Sequence, residues 1–322
     1  MIPTVRSRLV AAAASFLLGF AVANVAILLV TGPDRWLLVG VAAVLMVTGA
    51  VGVLVADTPR RLSLWAVLGL EVLAVFTALP LLWTFTVATS SQAPSGLWPE
   101  GISWSAFDTV LSDATYRRAT ATSVLVGVTA AVIAMLVAVP AGFVLVRRPF
   151  RGGRVVYGLV VAALLAPLVA FAGPWADQLL DLGWFDHRWS LLLPMLGVTV
   201  PLATWFVVTV ARNAPWHLLD SVRADGATRG QQLRTFAVPA LGPGLLLSSV
   251  LVVVVACHDV VLGAALSASE GARPLPATLL LAADRDDHAV VAAAGLLWLL
   301  PVLVIALVMP RRALTLLGRT YR

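Results

Sequence analysis

Side chains able to do chemistry are few in this sequence, and they are widely spaced. Four histidines, His187, His217, His258 and His288, lack the i, i+4 spacing that puts two imidazoles on one helix face for a metal ion. The single cysteine, Cys257, excludes an internal disulfide and a thiolate metal cluster. All 22 basic residues are arginine, so no lysine is present for a P-loop phosphate cradle or a Schiff base. The acidic run DRDD at 284–287 reads as a solvated loop. What remains is a set of polar side chains inside apolar runs: Glu71, His258, Asp259, Ser248, Ser249, Thr199 and Thr204, with Trp205 beside them. An ionised group at mid-bilayer costs about 3 kcal/mol or more unless it is partnered. Glu71 is therefore expected to make an interhelical hydrogen bond or to line a pathway, and Asp259 is a candidate gate or solute contact. His258 lies about 100° from Asp259 around a helix and reads as an interfacial residue. The hydroxyls either bridge neighbouring helices or line a cavity in which a hydroxylated solute finds partners and stacks on Trp205.

Those positions need long apolar elements, and the composition supplies them. Of 322 residues, 60% are hydrophobic and 12% charged, with a mean hydropathy of +0.97. A soluble domain carries about 25% charged residues, so the chain is expected to be all-α and polytopic. Eight runs are long enough to span a bilayer, at 9–30, 36–56, 63–88, 120–146, 154–173, 189–211, 240–262 and 288–309. The first is longer than a signal-peptide core and is expected to be retained. Pro140, Pro167 and Pro201 fall inside runs and should kink or unwind them locally.

Arginine placement orients the spans. With the N-terminus inside, 16 of the 22 arginines fall on inner segments and six on outer ones, where 11 of the 16 acidic residues also lie. Both termini are thus expected in the cytoplasm. The formal charge of +6 reports topology and contact with anionic membrane lipids rather than nucleic acid. Three segments exceed what a helical hairpin needs. Two are outer: 89–119, with a short amphipathic helix starting at Ser105, and 263–287. The third is cytoplasmic, from Arg212 to Pro239. There Pro215 starts a helix whose apolar stripe is Trp216, Leu218, Leu219 and Val222, and Gly226 ends it. A second helix, capped by Thr228, carries Leu233 and Phe236 until Pro239 stops it. Such a pair lies on headgroups or presents its apolar side to a partner's groove.

This segment resembles the signature loop of binding-protein-dependent ABC importer permeases: Glu-Ala-Ala, three residues, Gly, nine residues, Ile, one residue, Leu-Pro. Gly226 and Pro239 have the required separation, Asp220, Ser221 and Val222 stand for Glu-Ala-Ala, Phe236 for Ile and Val238 for Leu. The ADGAT run, Ala224, Asp225, Gly226, Ala227 and Thr228, is also typical. Asp keeps the charge with a shorter reach, and Val adds bulk. The likeness extends over roughly 100–322, in the order of the sugar-importer branch with its MetI-like permease fold. CHDVVLGAAL, Cys257–Leu266, stands where Trp-Asn-Glu-Phe is common, and RPLPATL, Arg273–Leu279, matches in type.

The resemblance implies a six-helix permease core at 63–322, preceded by two extra helices at 1–62, in a bacterial inner membrane. It implies a translocation subunit without ATPase activity of its own and with no cofactor bound by this chain. ATP and Mg would sit on partner ABC ATPase subunits, beside a second permease subunit, a different chain, and an extracytoplasmic solute-binding protein or lipoprotein. Within the coupling loop at 212–239, Leu218, Leu219 and Val222 would bury against the ATPase. Asp220 and Arg223 would form an ion pair or a solvated face. Ala224, Asp225, Gly226 and Pro239 would shape the lever that drives alternating access. A small carbohydrate is the expected solute, with a metal, oxyanion or peptide as alternatives. A secondary transporter would show related halves and more intramembrane ion ligands, and a lipid-modifying enzyme would need an acidic or histidine cluster at one interface.

Overall fold

Apolar runs with few charges must satisfy backbone N–H and C=O groups internally, which a helix does within one segment. The computed structural model describes residues 77–78, 80–91, 101–147, 150–283 and 288–320. Among them every extended element is helical, apart from an isolated antiparallel bridge between Ser90 and Ile102. The first two expected spans, the start of the third, Glu71 and the 284–287 run lie outside the described residues.

The chain divides into two units between Ala106 and Phe107. In the first, residues 80–89 are helical, and Phe85 meets Trp104 edge to face at 6.4 Å. A short helix, α1 (Ser105–Ser112), forms where the sequence places one. The second unit continues with α2 (Ala114–Arg147), α3 (Gly153–Leu165), α4 (Leu168–Asp181), a 3-10 turn (Arg188–Leu191) and α5 (Leu192–Arg212). Then come α6 (Trp216–Ala224), α7 (Arg229–Gln232), a π-helical turn (Leu233–Ala237), α8 (Val238–Cys257), α9 (Val261–Leu266), α10 (Leu275–Ala283) and α11 (His288–Thr320).

Four helices among the described residues are long and apolar enough to cross a membrane, and a bent pair adds a fifth candidate. They correspond to the last five expected runs, with two corrections. The 154–173 run is two helices, α3 and α4, bent by 92°. Proline disfavours the helical region for the preceding residue, and Ala166 before Pro167 is extended at φ −69°, ψ 131°. The helices continue across Pro140 and Pro201. The 240–262 run ends at Cys257, and the chain restarts as α9. The outer segment 263–287 contains the apolar helix α10.

Small residues decide how closely the long helices pack. Ala130, Ala131, Ala134 and Ala138 are buried along α2 at spacings of three and four, with Gly127 and Gly142 extending the stripe. A Cβ at Gly142 would fall 2.6 Å from Val207 Cγ1 on α5, and one at Gly127 would fall 2.5 Å from Cys257 Sγ on α8. Midway along the bundle Ala134, Ala138, Ala203, Val207 and Val252 form a core. At the end away from the 212–239 loop, Val126, Leu179, Leu191, Met195 and Leu262 form another.

Two polar ties hold that far end. The buried Ser123 Oγ on α2 accepts a hydrogen bond from the Leu275 amide at 2.8 Å, capping the start of α10 from across the bundle. Ser123→Ala would orphan that buried donor, so a loss of about 1–3 kcal/mol is expected, read as a lower apparent melting temperature in detergent. The second tie joins the α4–α5 and α9–α10 connections. Asp186, held at φ 61°, accepts the amides of Ala268 and Ser269 at 2.8 Å each and the Ser269 hydroxyl at 3.1 Å. The Ser269 amide foremost, then the Ser269 hydroxyl, the Ala268 amide and the Arg273 charge, hold the Asp186 carboxyl below its ordinary value against some opposing desolvation. With the folded pKa below the unfolded one, the tie adds stability above the ordinary carboxylate pKa and loses it as pH falls through the folded value. Melting curves of the unaltered chain and Asp186→Ala should therefore differ at neutral pH and converge as pH falls below the ordinary carboxylate range.

Candidate functional site

The 212–239 loop folds as a hydrogen-bonded helical hairpin, and its local sequence explains why. Helix α6 ends at Gly226, which takes φ 76°, a left-handed conformation that favours glycine because it has no Cβ. The Gly226 amide donates to the Arg223 carbonyl at 3.0 Å and the Ala227 amide to the Val222 carbonyl at 3.3 Å, the paired bonds of a Schellman ending. Two residues later Thr228 and Gln231 cap the next helix reciprocally. The Thr228 amide donates to Gln231 Oε1 at 2.8 Å, and the Gln231 amide to Thr228 Oγ1 at 3.4 Å. The turn is further braced by Arg223 Nε donating to Gln232 Oε1 at 3.2 Å and by Gln232 Nε2 donating to the Ala227 carbonyl at 2.9 Å.

Pro239 was expected to stop the second helix. Instead the helical run continues from Arg229 through the π turn into α8. Proline cannot donate its amide and crowds the carbonyl four residues earlier. Here the widened π turn immediately precedes it, placing Pro239 in the first turn of α8, where that bond is dispensable.

The apolar stripe of α6 divides in two. Leu219, 8% exposed, turns inward against Phe236 and Leu241 in the chain's own core, and Trp216 packs there too. Leu219 is thus occupied within the chain, in contrast to the expectation that it faces a partner. Leu218, 43% exposed, and the half-buried Val222 remain open. With Phe236, Val238, Pro239 and Leu246 they line an apolar cavity of about 590 Å³. Ala224, Asp225 and Gly226 are exposed at the tip. Asp220 Oδ1 lies 3.2 Å from Arg147 Nη2 on α2 and 3.8 Å from Arg223 Nη1 on its own helix.

The intramembrane candidates do not converge on one site. Thr199, Thr204, Ser248 and Ser249 each donate to the carbonyl four residues earlier on their own helix, at 2.8–2.9 Å. Thr199, Thr204 and Ser248 are buried. Ser249 opens onto an otherwise apolar cavity of about 520 Å³ between α2 and α8, lined by Val132, Met135, Pro140 and Leu245 among others. Trp205 is exposed and leans on Phe206 at 5.1 Å. Asp259 accepts the amides of Leu262 at 2.9 Å and Gly263 at 3.4 Å, capping α9. His258 Nδ1 meets the Val254 carbonyl at 2.8 Å, and its ring lies 5.4 Å from Trp298.

Sequence reasoning missed two contributors to the loop. Arg147 reads in sequence only as an orienting charge, yet it reaches Asp220 and covers the Trp216 ring at 4.7 Å. Phe143 meets Trp216 edge to face at 5.8 Å. Phe143 and Arg147, four residues apart at the end of α2, were the available signal.

Comparison with known proteins matches this geometry to a family. Residues 130–312 match the binding-protein-dependent transport system inner membrane component family. The trehalose transport system permease protein SugB of Mycobacterium tuberculosis is 27% identical over 260 residues, covering 79% of this chain and 94% of that protein. The diacetylchitobiose uptake system permease protein DasC of Streptomyces coelicolor is 24% identical over 269 residues, covering 78% and 94%. Among solved structures, a chain of a bacterial ABC transporter involved in the import of the acidic polysaccharide alginate superposes with a TM-score of 0.60 at 20% identity, covering 79% of this chain and 99% of that one. An apolar helical bundle carrying this loop, matched over more than half its length, belongs to the family of inner-membrane components of binding-protein-dependent transport systems.

Proposed function

We propose that this chain is one permease subunit of an ATP-driven importer for a small carbohydrate, and that α6 is the element docked by the ATPase. The observation that carries the docking role is the hairpin itself. Leu218 and Val222 stay open beside an apolar cavity on a helix ended by Gly226 and followed by a capped helix that runs into α8. A rigid helix joined to a spanning helix transmits displacement, which alternating access requires. ATP and Mg would be held by the partner ATPases. A second, different permease chain would complete the pathway, and an extracytoplasmic binding protein would deliver the solute.

The carbohydrate assignment is supported by relatives named for trehalose and diacetylchitobiose transport. In this reading residues 1–62 form two additional spans before a core at 63–322, for eight in all, and both termini face the cytoplasm. Trp205 and Ser249 are the pathway contacts best placed to meet a sugar, one offering a ring face and the other a hydroxyl at a cavity wall. Glu71, Ser248, His258 and Asp259 complete the candidate lining.

The test has two arms. Leu218→Asp and Val222→Asp, which place charge on the open stripe, should each weaken capture of the ATPase subunits at least tenfold, since burying an unpaired charge costs more than about 1.4 kcal/mol. Uptake of labelled trehalose or diacetylchitobiose by the complete transporter should be ATP-dependent and should compete with other oligosaccharides. Full ATPase capture by both variants would remove α6 from the interface. Uptake confined to amino acids or oxyanions would overturn the carbohydrate reading.

A further inference from the structure

We infer that Arg147 is a positioning residue that fixes the angle of α6 against α2, so that a push on α6 moves the bundle instead of swinging the helix. The inference rests on the docking role proposed for α6.

Helix α6 hangs between two joints. It is joined to α5 by the short connection Asn213–Pro215, whose Pro215 sits at ψ 71° without a side-chain cap, and to α7 by the Gly226 turn. Beneath it Leu219 and Trp216 pack in one small cluster with Phe236, Leu241, Phe143, Val210 and Ala240. Arg147 enters from a third direction as the last residue of α2. Its Nη2 lies 3.2 Å from Asp220 Oδ1, and its guanidinium carbon stands 4.7 Å from the centre of the Trp216 ring. Residues 216 and 220 lie one turn apart on one face, so one side chain grips α6 at two points. A planar guanidinium can stack on the ring while its edge reaches the carboxylate, which an ammonium cannot do in the same way. The second partner of Asp220, Arg223 at 3.8 Å, is on α6 itself and reaches only Gln232 of the adjoining α7, not α2. Trp216 is held in turn by its Nε1 donating to the Ala211 carbonyl at 2.8 Å. Helix α2 packs on α5 and α8 with glycines at the closest approaches. A clamp from α2 to α6 therefore joins the docking helix to the middle of the bundle.

The experiment uses the complete transporter in nanodiscs, with Arg147→Gln and Arg147→Lys. A half-exposed ion pair and a cation–π contact together make a modest clamp. Arg147→Gln is thus expected to keep ATPase capture and ATP hydrolysis while solute moved per ATP falls about fivefold, and Arg147→Lys, which keeps the charge alone, about twofold. Spin labels at the exposed positions His217→Cys on α6 and Val144→Cys on α2, in a Cys257→Ala background, give the direct readout. Their distance distribution should broaden in Arg147→Gln and less in Arg147→Lys. An unchanged distribution with an unchanged transport-to-hydrolysis ratio overturns the inference. Loss of ATPase capture in Arg147→Gln also overturns it, because Arg147 would then be a docking contact. Should the unsubstituted chain recruit no ATPase, the docking role of α6 fails, while the label distances still decide whether Arg147 clamps the helix.

Discussion

Replacing Gly226 with Val is expected to lower capture of the ATPase subunits by at least tenfold and to abolish ATP-driven uptake, with the bundle still inserted and folded. No atom lies within 4 Å of a Cβ built at Gly226, so the effect does not arise from collision. It arises from φ 76°, where a residue with a Cβ pays about 1–2 kcal/mol and a β-branched one more. About 2 kcal/mol is more than tenfold in an equilibrium constant, and the strain falls on a short exposed turn that can relieve it by breaking the two terminal hydrogen bonds of α6. Helix α6 would then leave its seat. Asn tolerates the left-handed region, so Gly226→Asn should retain most capture, with Gly226→Ala between the two. Capture measured by pull-down and uptake measured in proteoliposomes should follow the order Gly, Asn, Ala, Val. A Val variant equal to the unaltered chain would show that the turn geometry is irrelevant to coupling.

Gly127→Ala tests the bundle instead of the loop, and its expected cost is about 3 kcal/mol, read as a fall of several degrees in apparent melting temperature. An added Cβ would meet Cys257 Sγ at 2.5 Å, its amide nitrogen at 3.0 Å and its Cα at 3.1 Å. The sulfur can turn aside, but the backbone of α8 cannot do so without the helix moving. A Cys257→Ala background should therefore recover only part of the loss. Gly158→Ala in α3, where nothing lies within 4 Å of the new methyl group and no proline follows, supplies the control. It should be neutral or raise stability by up to about 1 kcal/mol through helix propensity.

The hairpin was the most legible part of this chain because its signals are local. Gly226 at a helix end and a helix start capped by Thr228 are each decided by a few adjacent residues, and both appear as read. Lengths of apolar runs likewise mark spans, since a run of about 20 residues has few other uses. The 92° bend was not legible. Pro167 announces an interruption, but the angle is set by what α3 and α4 pack against, and no local pattern records that. The inward turn of Leu219 escaped for a similar reason, because an apolar stripe wide enough to meet both Phe236 and a partner does not say which residue faces which. Asp259 has a structural role that its sequence context does not announce. In sequence it is a charge in an apolar run, yet a restart of the helix at Val261 gives its carboxylate two amides to accept. Arg147 and Asp220 are 73 residues apart in sequence, and only the packing of α2 on α5 and α8 brings them together.

The bend between α3 and α4 has a consequence for depth. Their 13 and 14 residues at about 1.5 Å each give two legs of about 20 Å, neither of which reaches across a hydrocarbon slab of about 30 Å. With Arg-rich turns proposed on one side at both 147–154 and 212–234, the pair must nevertheless carry the chain across. Two such legs meeting at 92° do so when each leans about 45°, which together gives about 28 Å of height. This chevron is then a crossing whose stature depends on a joint and not on residue count, so lipids with longer acyl tails would tend to prise it open and shorter ones to flatten it.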